Sequence, residues 1–198
     1  MKLFFLFSAL VVCFLSCVSV SRNTGKDKPY VYLTENSRFV LLPTEGIEQD
    51  MDMIQFLSAE FRGQNYFLNA WVKADKNILE LALFNEMGTS LGELSYKNGD
   101  VHFSSAVIPR AAMRHIRPEY VIADYQLSFY NPYLLEKALK DSGLILEIKN
   151  DYCRYGSRRI ISGNETIIEI EKTENSVKFI NHFREYSYIL EGDFYGIR

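Results

Sequence analysis

The sequence predicts a mainly β fold of the α+β kind. We expect a strongly curved antiparallel sheet or half-open β-barrel, with two or three short mid-chain helices on its concave side. Three observations predict it. Aromatic residues make up 14% of the 198, and such rings favour pleated surfaces and apolar pockets over helical bundles. Short apolar runs alternate with turn residues at the spacing of an antiparallel meander. Between about residues 110 and 141 the apolar period shifts from 2 to 3.6 and then returns. The length suits one domain with a substantial core, expected over residues 38–194.

The first segment carries an address. Lys2 precedes a run from Leu3 to Leu15 without charge, the n-region and h-region of an export signal over residues 1–16. Phe14-Leu15-Ser16-Cys17 then resembles the bacterial lipobox, in which a small residue precedes a Cys that is diacylated before cleavage. Cys13 is the competing acceptor, but Val12 before it is branched and bulky. Lipidation is therefore expected at Cys17, with membrane attachment through the lipid. The alternative is an uncleaved anchor, since Leu3 to Val20 could just span a thinned bilayer. Val18 in place of an Asp after the lipid-bearing Cys points to the outer membrane, facing the periplasm. Cys153 is then the remaining thiol, expected as a small buried hydrophobe. Residues 17–37, with Gly25 and Pro29 among polar neighbours, read as lipidated Cys and flexible tether.

Six apolar runs follow, read as one continuous sheet: Phe39–Leu42, Met53–Arg62, Tyr66–Lys73, Ile78–Asn85, Leu91–Lys97 and Val101–Ser104. Asn98-Gly99 is the strongest hairpin signal, because both residues suit the positive φ of a type I′ turn. Pro118 opens a helix to about residue 129, and Pro132 opens another, Tyr133–Asp141. In the second, Leu134, Leu135, Ala138 and Leu139 form one stripe ending at Gly143. Strands resume as Leu144–Lys149, Tyr152–Ser162, Glu165–Lys172, Ser176–Phe183 and Tyr186–Glu191. A sheet of about ten strands must curl to bury its apolar face, and the helical stripes need a partner. Both needs are met if the helices fill the concave side.

Several residues resemble a known family. Leu41-Leu42-Pro43, Gln55, Met87-Gly88 and the run Ile122-Ala123-Asp124-Tyr125-Gln126-Leu127-Ser128-Phe129-Tyr130-Asn131-Pro132 carry the likeness over about residues 39–191. The family is one of uncharacterised bacterial lipoproteins often encoded beside aryl-polyene biosynthesis genes. Its members commonly have Trp before the Pro, where this chain has Tyr130-Asn131. The family is distantly similar to the LolA and LolB lipoprotein carriers, which implies a half-open barrel with helices as lid and a cavity for acyl chains. Asp124, Gln126, Leu127, Tyr130 and Pro132 carry the motif. Polar groups there would satisfy backbone where helix meets sheet.

Composition excludes some functions. A net charge of −3 and a pI near 5.7 remove the attraction to phosphate backbones, so no nucleic acid is expected. His102, His115 and His182 are scattered, and Asp50-x-Asp52 lacks the rest of a calcium loop, so no metal or cofactor is expected. No nucleophile elbow, phosphate loop or dinucleotide glycine pattern occurs, so no enzyme is expected. Glu169 and Glu171 read as an outer strand face, with Ile168 and Ile170 opposite. Arg110, Arg114 and Arg117 would share a face if helical, solvated or touching anionic head groups.

A candidate ligand wall follows from alternation. Ile54 and Phe56, Tyr66 and Leu68, and Leu79, Leu81 and Leu83 would line it from three strands, with Leu135 and Leu139 from the helix. The expected function is a non-enzymatic outer-membrane lipoprotein that binds a lipid or acyl chain and assists its delivery or retention. The alternative is an interaction subunit of an envelope assembly with a filled core. A void of several hundred Å³ would separate the two.

Overall fold

The computed structural model describes residues 18–22, 28–61, 63–113, 116–150 and 155–192. The signal segment, Cys13, Cys17, Arg114, His115 and Cys153 lie outside the described residues.

The chain is mainly β. Its strands are β1 (Val18–Arg22), β2 (Tyr30–Tyr32), β3 (Arg38–Val40), β4 (Met51–Phe61), β5 (Gln64–Ala74), β6 (Leu79–Phe84), β7 (Ser90–Lys97) and β8 (Asp100–Ser105). Three helices follow, α1 (Arg110–Met113), α2 (Glu119–Phe129) and α3 (Pro132–Asp141). The chain then returns to strands β9 (Ile145–Lys149), β10 (Gly156–Ser162), β11 (Glu165–Lys172), β12 (Ser176–Asn181) and β13 (Tyr186–Glu191).

Eleven strands form one antiparallel sheet in the order β1-β8-β7-β6-β5-β4-β13-β12-β11-β10-β9. The two meanders on either side of the helices meet where β4 pairs with β13, Phe61 opposite Tyr186 and Leu57 opposite Leu190. The sheet does not close on itself among the described residues, ending at β1 and β9. One apolar cluster nevertheless reaches from Val101 on β8 to Ile160 on β10. Those strands stand eight spacings apart, roughly 38 Å on a flat sheet, so the sheet wraps its apolar face around the helices.

Local sequence explains the ends of these elements. Asn98 and Gly99 take φ of 52° and 84° between β7 and β8, the turn expected there. Asn131 caps α3 by accepting a hydrogen bond from the Tyr133 amide at 2.8 Å, with Pro132 as first helical residue. Gly143 follows at φ 74°. No helix among the described residues is long and apolar enough to cross a membrane.

Three expectations are corrected. The run Phe39–Leu42 does not join the main sheet: Arg38–Val40 pairs with Tyr30–Tyr32 in a separate two-stranded sheet. Val31, Leu33, Phe39 and Leu41 are buried in the core, so this hairpin seals one side of the helical layer. The segment read as tether therefore contains structure, and Val18–Arg22 also pairs antiparallel with β8. In α3 the stripe is narrower than expected: Leu135 and Leu139 are fully buried, but Leu134 is exposed.

Candidate functional site

The helix α2 divides the interior. Its residues Ile122 to Ser128 are all buried, as in a helix surrounded on every side rather than an amphipathic cover. Ile122, Ala123, Leu127 and Tyr130 join the dense core. Val121, Asp124, Tyr125 and Phe129, spaced to share the other face, roof a cavity of about 710 Å³. Its floor is the seam of the sheet: Leu57 and Ala59 on β4, Ala70 and Val72 on β5, Leu81 and Leu83 on β6, Tyr188 and Leu190 on β13. The lining is largely apolar.

Three polar contacts hold the roof. The Gln126 amide clamps the backbone of Leu42, accepting from its N–H at 2.9 Å and donating to its carbonyl at 2.7 Å. Buried Arg158 donates through Nη1 to the carbonyls of Leu127 and Tyr130, both at 2.9 Å. These carbonyls belong to the last turn of the helix, where backbone acceptors lack helical partners. On the cavity side, the Tyr186 hydroxyl donates to Asp124 Oδ2 at 2.7 Å. The Asp124 carboxyl thus joins helix to sheet through a side chain rather than through backbone.

Burial pushes the Asp124 carboxyl up to about 8, although the Tyr186 hydroxyl and the Arg184 charge both pull it down. The acid is therefore neutral near pH 7. Burial likewise raises the phenols of Tyr186 and Tyr188, with the nearby Asp124 adding to both shifts. An acid whose pKa rises on folding holds its proton more tightly in the folded state. The resulting stability is present below its unfolded value near 4 and is lost as pH rises to about 8. The unfolding midpoint of the wild-type chain should therefore fall from pH 5 to pH 9, and Asp124→Asn should flatten that fall. Superimposable profiles for the two proteins would show that the carboxyl titrates as in solvent.

The polar residues gather at one end. Arg184, in the turn between β12 and β13, stacks on the Tyr120 ring at 3.7 Å and hydrogen-bonds its hydroxyl. Its Nη2 also donates to the Tyr32 carbonyl at 3.2 Å. At the other end Gln55 is buried, with Nε2 3.3 Å from Met53 Sδ and Oε1 without a partner among the described residues.

The sequence-derived wall is only partly the wall of this cavity. Leu81 and Leu83 line it. Tyr66 and Leu68 share the floor's face, by their pairing with Ala59 and Leu57, but lie beyond its rim. Leu79, Leu135 and Leu139 are fully buried in the core instead. Ile54 and Phe56 are on the opposite face, 69% and 41% exposed. Strand β4 is apolar on both faces, and Gln55 on the inner one disguises which side is covered. The main omission is the polar end, where Tyr120 and Arg184 come from segments that carry no motif.

Other candidates resolve more simply. Glu169 faces outward, 3.6 Å from His182, while Ile168 and Ile170 are buried. Arg117 lies outside helix α1 (Arg110–Met113) and pairs with Glu119 at 3.4 Å. Among the described residues no three His, Cys, Asp or Glu side chains are grouped to hold a metal.

A family model described as a protein of unknown function (DUF3261) matches residues 52–191. No curated protein matches the chain.

Proposed function

On the premise that this chain belongs to the DUF3261 family of proteins of unknown function, we propose that it is a non-enzymatic outer-membrane lipoprotein. In this reading it binds a lipid or acyl chain and assists its delivery or retention in the cell envelope. The observation that carries this reading is the 710 Å³ cavity. A subunit that only bridged partners would gain stability by collapsing such a space. The volume falls within the range of small-molecule sites, and its walls suit methylene chains. The resemblance of the motif around Asp124 to relatives of the LolA and LolB carriers supports the same reading by analogy of fold. The lipobox-like sequence at Cys17 supplies the anchor.

Native mass spectrometry of the full chain purified from its membrane tests the proposal. A co-purifying lipid, released on denaturation, is expected. A protein that carries none and takes up no acyl probe is an interaction subunit instead. The anchor is tested separately: Cys17→Ser should leave an unprocessed precursor that takes up no labelled palmitate, and continued labelling would move the acceptor elsewhere.

A further inference from the structure

The cavity has two chemically different ends. Gln55 and Phe61 both line it and stand six residues apart on β4, about 20 Å at the rise of a strand. At the Phe61 end lie Arg184, Tyr120, Asp124 and Tyr186, with Arg117 and Glu185 at the rim. Between the ends the floor is largely aliphatic, with Tyr188 on β13 as its aromatic member. Arg184 has no carboxylate within ion-pair distance among the described residues, and its buried Nε has no hydrogen-bond partner. The Arg184 charge acts on Asp124, which lines the same end of the cavity. Burial leaves that carboxyl protonated near neutral pH, so it offers a donor instead of a charge. One of its oxygens is taken by the Tyr186 hydroxyl. A guanidinium, fixed against Tyr120 and lacking an anion, thus stands beside a neutral acid at the head of an apolar channel.

Resting on the carrier reading above, we infer that Arg184 receives the anionic headgroup of a single-chain amphiphile whose tail runs along the floor towards Gln55. A carboxylate or a phosphate supplies the same chemistry: acceptor oxygens for the guanidinium N–H groups and for the Asp124 O–H. Arg suits this role because its planar donors are fixed in a fork.

The test compares three probes on the full chain: palmitate, methyl palmitate and palmitoyl lysophosphatidate. Wild type should bind palmitate about tenfold more tightly than its neutral methyl ester, the expected size of one hydrogen bond to a charged group. Arg184→Gln should abolish that preference by weakening palmitate binding about tenfold, and an unchanged circular dichroism spectrum shows that the variant is folded. Arg184→Lys, which keeps the charge, should restore part of the preference. Lysophosphatidate separates the sources: if it exceeds palmitate and depends on Arg184 in the same way, the headgroup is a phosphate. Equal affinity of wild type for palmitate and methyl palmitate overturns the headgroup inference but leaves the carrier reading standing. Binding of none of the three overturns both.

Discussion

Ala59→Trp should reduce uptake of a fluorescent fatty acid about 100-fold while leaving the thermal unfolding of the chain nearly unchanged. Ala59 stands on the floor of the cavity between Tyr66 on β5 and Tyr188 on β13. An indole there extends into space already empty, so the overpacking that makes small-to-large core changes costly is avoided. It takes the place of ligand. Displacing about four methylenes forfeits roughly 3 kcal/mol at ~0.8 kcal/mol each, which is about two decades in affinity. The matched control is Phe56→Trp, whose side chain lies on the exposed face of the same strand, and which should bind as wild type does. Equal loss in both variants would remove the cavity from the binding account. Equal retention in both would do the same.

Arg158→Met should be the most destabilising of the substitutions considered. The side chain is 3% exposed and bonds two carbonyls at the end of the roof helix. Hydrogen bonds to a charged group contribute about 1.5–3 kcal/mol each, so a loss of roughly 3–6 kcal/mol is expected. That is a large share of the 5–15 kcal/mol by which domains are stable. Met fills the stem's volume but leaves Leu127 and Tyr130 with buried, unpaired oxygens. Urea unfolding should show a lower midpoint with an unchanged slope. A midpoint shift worth less than about 1 kcal/mol would mean that water replaces the guanidinium. Arg158→Lys should recover only part of the loss, because the shorter side chain does not carry its ammonium to where Nη1 meets both carbonyls.

Arg158 also marks what a linear reading misses. It sits on β10 opposite Ile148 and Ile170, at a position where alternation calls for an apolar residue. Its partners are carbonyls that only the folded helix presents. Tyr120 and Arg184 are hidden for the same reason, since sixty-four positions separate them in sequence. By contrast, Asn98-Gly99, Pro118 and Pro132 act through local backbone preferences, and the turn and both helices are found where those residues place them. The faces of β5 and β6 are equally legible, because one side of each is plainly more apolar. Strand β4 has Met51, Met53 and Leu57 on one face and Ile54 and Phe56 on the other, so only the pairing with its neighbours decides which face is covered. The hairpin of β2 and β3 escapes notice because three-residue strands are too short to show a period.

The pairing of β4 with β13 has a consequence for the order in which the molecule matures. On the exported reading proposed above, the chain crosses the membrane from its N-terminal end, so the first meander and the helices are available before the last strand. Until β13 arrives, β4 is an open edge with Leu57 and Ala59 facing solvent, and the part of the floor formed by Tyr188 and Leu190 does not exist. Loop closure across so much chain is slow relative to hairpin formation, so the binding site is the last part of the protein to be completed. A molecule captured there bridges both halves and slows their separation, so a loaded protein should be more resistant to proteolysis along that seam than an empty one.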